Sequence, residues 1–214
     1  MRRLALFSSI ALALLVPTTA MAEDSAQLMV TGTISPAVCG VEVTGGAAVQ
    51  LAPVKLSDFK PGEDLPLDEE SASLTITCEG ASAQFRLKAT DGTGHIADAS
   101  AHYSLGYNEQ GGGAVRSNGY FELSIDAASM SSNNFVLKST DAGDGKIWDH
   151  VGNDKVPFSH DGEAFAFAAD SGATAPASLA SLTVPLKIKA VLAKDPIVNE
   201  EVLLAGQATI EILY

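Results

Sequence analysis

AGQATIEILY (Ala205 to Tyr214) ends the chain, and in it Ala208, Ile210, Ile212 and Tyr214 fall on every second position. A period of two places such residues on one face of a β-strand. Working outward, the same alternation recurs in Leu182-Val184-Leu186-Ile188, in Phe85-Leu87-Ala89, in Leu74-Ile76-Cys78 and in Leu28-Val30-Gly32-Ile34. Each of these segments offers one apolar face to a core. Between them lie turn-forming clusters: Lys60-Pro61-Gly62-Glu63-Asp64, Asp91-Gly92-Thr93-Gly94, Gly111-Gly112-Gly113, Asp141 to Gly145 and Ser171-Gly172-Ala173. Short strands with such punctuation predict an all-β chain folded as a two-sheet sandwich of the immunoglobulin type. The stretch from Asp91 to Ala180 is the least regular, because its apolar residues are scattered among glycines. No internal repeat or linker divides the chain.

The other end reads as an export signal. Arg2 and Arg3 precede an almost unbroken apolar run from Leu4 to Val16, and Ala20-Met21-Ala22 supplies small residues for cleavage. The run is too short to span a bilayer. Residues 1–22 are therefore expected to be removed, leaving 192 residues that start at Glu23 and act outside the cytoplasm. Without Arg2 and Arg3 the chain has 11 basic residues against 26 acidic ones, a formal charge of −15, which makes nucleic acid a poor partner. Cys39 and Cys78 are the only cysteines, and an oxidising compartment favours their pairing. The competing metal or redox reading lacks a Cys-x-x-Cys motif and a histidine cluster.

LMVTGTISPAVC (Leu28 to Cys39) resembles the N-terminal extension of chaperone-usher pilus subunits, with alternating apolar residues and a glycine at a set distance before the cysteine. VQLAPVKLSDF (Val49 to Phe59) is similar to the first body strand of type 1 pilins, although Ala52 stands where a glycine is usual. TVPLKIKA (Thr183 to Ala190) and AGQATIEILY resemble the closing pair of pilin strands, except that the tyrosine is last rather than penultimate. The likeness covers both ends, about half of the mature chain. It is greatest to a group of fimbrial-like proteins whose role is poorly defined.

The resemblance implies an immunoglobulin-like, pilin-type β-sandwich lacking its final strand. Residues 23–38 would be a donor-strand extension and residues 39–214 the sandwich domain. The implied function is that of a structural or minor subunit of a surface pilus, supporting cell adhesion. Assembly would be by donor-strand exchange through a periplasmic chaperone and an outer-membrane usher. Leu28, Val30, Gly32 and Ile34 would be the donor residues. Gly206, Ala208, Ile210, Ile212 and Tyr214 would form the chaperone and groove contact, with the terminal carboxylate as an anchor. The alternative is an exported β-sandwich binding module, either a glycan-binding adhesin or a periplasmic ligand-binding protein. It draws on Trp148, Tyr103, Tyr107 and Tyr120, since aromatic rings stack on sugars. A two-domain adhesin would need more than 192 residues.

Nothing in the sequence points to catalysis, a cofactor or a metal. His95, His102, His150 and His160 lack ligand spacing. The run from Asp141 to Asp149 has only part of a calcium-loop pattern and reads as a turn. There is no Gly-x-Ser-x-Gly elbow and no phosphate-binding glycine loop.

Overall fold

The computed structural model describes residues 38–44, 48–93, 101–110, 114–131, 134–139, 147–152, 154–196 and 201–214. Residues 1–22, the proposed donor residues Leu28, Val30, Gly32 and Ile34, His95 and the turn from Asp141 to Gly145 lie outside them. Among the described residues there is no α-helix, and no helix long and apolar enough to cross a membrane.

Among the described residues, thirteen strands form in chain order: β1 Val38–Thr44, β2 Leu65–Glu79, β3 Arg86–Asp91, β4 His102–Ser104, β5 Tyr107–Gln110, β6 Ala114–Ser117, β7 Gly119–Asp126, β8 Phe135–Ser139, β9 Asp149–His150, β10 Lys155–Pro157, β11 Ala164–Ala168, β12 Ser181–Leu192 and β13 Ala208–Leu213. Every pairing is antiparallel. One sheet runs β1-β2-β12-β7-β10, with β4 also on β7; a second runs β13-β3-β11-β8-β9; β5 and β6 form a separate ribbon. Leu74, Ile76, Ile125, Val184 and Leu186 from the first sheet meet Leu87, Ala89, Val136, Phe165 and Phe167 from the second in one buried cluster. The arrangement is that of a β-sandwich.

The predicted alternation in the long strands carries through. In β12, Leu182, Val184, Leu186, Ile188, Ala190 and Leu192 face inward and are buried, while Ser181, Thr183 and Lys189 are exposed. Pro185 is tolerated in this central strand because β7 pairs with β12 only from Leu186 onward, so the missing N–H does not interrupt that ladder. β7 starts at Gly119, which adopts φ +128° and lies so close to Val191 that a Cβ would sit 2.1 Å from its carbonyl oxygen.

Val49 to Phe59, expected from the resemblance to form a body strand, does not: residues 48–55 have no regular secondary structure and lead into a short 3-10 turn, Leu56–Asp58. Pro53 removes a ladder donor. Leu51, Val54 and Phe59 instead pack on Leu105, Ala190 and Leu192, so side-chain burial rather than strand pairing holds the segment.

The expected disulfide is present, joining Cys39 on β1 to Cys78 on β2. The two residues lie directly opposite each other in the β1–β2 ladder. Linking residues 39 apart contributes about 4 kcal/mol on the chain-entropy model.

Candidate functional site

A two-sheet sandwich has two seams, where the edge strands of one sheet pass those of the other. At one seam β9 borders the second sheet and β10 the first, and they are consecutive in sequence, so the chain itself crosses between the sheets there. The N–H of Val151 donates to Val136 at 3.2 Å and that of Phe158 to Leu123 at 2.8 Å, tying the crossing to both sheets. Val156 and Phe158 fill the interior beneath it.

The opposite seam lies between β1 and β13. Each is the last strand of its sheet, and among the described residues β1 pairs only with β2 and β13 only with β3. Between them is a groove of about 920 Å³. Its floor is Phe121 and Leu123 of β7 with Leu186, Ile188, Ala190 and Leu192 of β12. One bank is Val43 and residues 48–54; the other is residues 201–208 and Ile210. Leu56, Leu203 and Leu204 leave 56%, 79% and 36% of their surface open along these banks, a concentration of apolar exposure at one site.

Of the residues proposed from the sequence as groove contacts, Gly206, Ala208 and Ile210 line this groove. Ala208, Ile210 and Ile212 point inward and pack, half-buried, against the main core, with Thr209 and Glu211 exposed between them. Gly206 has a positive reason to be glycine: a Cβ there would lie 2.7 Å from the Phe121 ring and 3.0 Å from the Ser104 carbonyl oxygen. Its neighbours carry the bank from one sheet to the other. The Ala205 N–H donates to Leu105 at 3.2 Å, and the Gly92 N–H donates to Gln207 at 2.8 Å. Tyr214 stands at the far end of the groove bank, its phenol bonded to the backbone of Cys39.

Sequence reasoning missed the floor and the opposite bank. Phe121 and Leu123 belong to the irregular middle of the chain, and Leu51 and Val54 were expected within a strand.

The other candidates are dispersed. Trp148 is buried with Leu137, Ala164, Ala166 and Ala168 on the outer side of the second sheet, whereas Tyr103 is buried in the main core. Tyr107 lies exposed on β5, and Tyr120 stacks on His102 with ring centres 3.7 Å apart. The four rings therefore do not make one sugar-stacking face. The Tyr103 hydroxyl donates to the Phe158 carbonyl at 2.6 Å. Burial, reinforced by the carboxylates of Asp91 and Asp161, pushes its ionisation well above the ordinary tyrosine value.

His102 sits 3.4 Å from Glu122, His160 donates through Nε2 to the His102 carbonyl at 2.9 Å, and His150 meets the edge of Phe135. Among the described residues no group of three or more His, Cys, Asp or Glu is placed to hold a metal ion. Charged pairs such as Lys155 with Glu69 and Lys187 with Asp126 lie on the outer face of the first sheet, where solvent screening leaves them little net energy.

No protein-family model matches this chain, and no curated protein matches it.

Proposed function

We propose that this protein is an exported subunit of a surface pilus, built on a pilin-type immunoglobulin-like sandwich that lacks its final strand. The donor residues Leu28, Val30, Gly32 and Ile34 of one copy lie in the groove of the next. A periplasmic chaperone lends a strand to the same groove before assembly, contacting Gly206, Ala208, Ile210, Ile212 and Tyr214, and an outer-membrane usher passes the subunits on.

The observation that carries this reading is the unequal pair of seams: one is crossed by the chain, while the other exposes an apolar floor between two strand edges with no described strand partner on their open sides. An unpaired edge beside an apolar groove is a site for strand addition and, left uncovered, for aggregation. The dimensions suit the proposed guest. Seven residues from Leu28 to Ile34 span about 23 Å when extended, matching the seven-residue edge offered by β1. Burying Leu28, Val30 and Ile34 contributes roughly 1.5–3 kcal/mol each, in addition to a backbone ladder. β1 begins at Val38, beside the end of the groove marked by the Tyr214 phenol on Cys39.

Deleting Glu23 to Val38 tests the reading. The expected result is loss of detergent-resistant ladders from surface extracts, with a chaperone-bound monomer remaining. Ladders that persist after the deletion would overturn it.

A further inference from the structure

We propose that Tyr214 sets the register in which an incoming strand pairs with β1, its phenol occupying the first outward-facing backbone position of that strand; the inference rests on the groove reading given above. Cys39 and Cys78 are directly opposed with Cα atoms 3.9 Å apart, nearer the narrow spacing of a non-hydrogen-bonded pair than the wide one. In such a pair the backbone groups of both residues point away from each other. Accordingly, the Cys78 N–H donates to Ala180 at 2.8 Å, on the side away from β1.

The N–H and C=O of Cys39 point the other way, into the open seam, and both meet Tyr214. The N–H donates to the phenol oxygen at 2.5 Å, and the phenol O–H donates to the carbonyl at 3.2 Å. A hydroxyl is both donor and acceptor, so one side chain fills the place that a backbone unit of a neighbouring strand would take. By the period of two, Val41 and Val43 are the next residues whose backbone faces outward, and no described strand lies beyond them.

This matters because side-chain pattern alone is a weak register lock here. A slip of one residue turns every apolar side chain outward, but a slip of two keeps the apolar face inward. Something at the end of the ladder must exclude the second register. Tyr214 directly follows β13 on the opposite bank, so it closes that end and leaves Val41 as the first position open to a guest. The side chain is held by these two bonds rather than by burial, since the residue is 62% exposed. Removing only its oxygen leaves the core intact.

The test uses the full-length chain with a photoreactive residue replacing Val30, compared with the same chain carrying Tyr214→Phe. Cross-linked oligomers are mapped by mass spectrometry, and amide exchange is followed in both proteins. The expected result is one attachment position in the groove for the first protein and two positions, two residues apart, for Y214F. Exchange at the Cys39 amide should be about tenfold faster in Y214F, as for loss of one hydrogen bond. An identical cross-link map, or unchanged exchange at Cys39, overturns this inference alone. No cross-link into the groove in either protein overturns the groove reading and this inference with it.

Discussion

The two seams of this sandwich are bordered by similar materials and differ in what crosses them. At the β9–β10 seam the edge strands are two and three residues long, one ends in Pro157, and the connecting chain passes over the join. Short strands and proline are common means of blunting a sheet edge. At the β1–β13 seam the edges are seven and six residues long, and apolar side chains line the gap. A short, covered edge resists added strands, whereas a long edge over an apolar floor is open to strand addition.

The largest effect should come from closing the open seam artificially. A copy of residues 28–34, fused after Tyr214 through a flexible linker long enough to reach either end of β13, should raise the unfolding free energy by about 4 kcal/mol. The gross burial of three aliphatic side chains is offset in part by the entropy of ordering the added strand. Denaturant unfolding measures it, and no gain would mean that the groove does not accept a strand.

Removing the Cys39–Cys78 bridge by a double serine substitution should cost about 4 kcal/mol, because β1 is otherwise an edge whose described strand partner is β2 alone. The loss should be read out as both a lower unfolding midpoint and faster exchange along β1.

A matched pair of truncations separates the seams more finely. Ile125, on β7 where it pairs with β10, is 0% exposed, whereas Ile188 on the groove floor is 9% exposed. Ile125→Ala should cost about 4 kcal/mol and Ile188→Ala about 2, since a void under the closed seam cannot collapse or fill with solvent as easily. Equal costs would mean that the groove floor is as dry as the core.

The smallest effect concerns Tyr103, which supports the closed seam through the Phe158 carbonyl. Its ionisation is raised in the folded chain above the ordinary value of 10.0. The unfolded chain therefore releases this proton first as pH rises. The contribution to stability is complete below about pH 10 and declines above it, by up to about 1.4 kcal/mol per pH unit. Tyr103→Phe should remove that component from the alkaline side of the stability curve.

Legibility in the sequence followed strand length and one-sidedness. β2, β3, β12 and β13 are each at least six residues long, and their alternating residues face one core, so the period of two showed in the sequence. β11 is buried on both faces through Ala164–Ala168 and has no alternation to read. β9 has only two residues, below the length at which any period is visible. Val49 to Phe59 resembled a pilin body strand and became a side-chain-anchored cover instead, because a likeness in apolar residues reports burial and not hydrogen-bond partners. Half of the candidate site was legible for the same reason: Gly206, Ala208 and Ile210 stood in a regular strand pattern, while Phe121 and Leu123 did not.

By itself, the amino-acid order determined the long alternating strands and, with just two cysteines, the one possible intrachain disulfide. Only the tertiary structure decided that one seam is crossed by the chain while the other, among the described residues, is not. Periodicity records which face of a strand meets a core, a local property of each segment. Whether a strand's edge has a neighbour depends on how distant segments are ordered across a sheet, and no single segment carries that information.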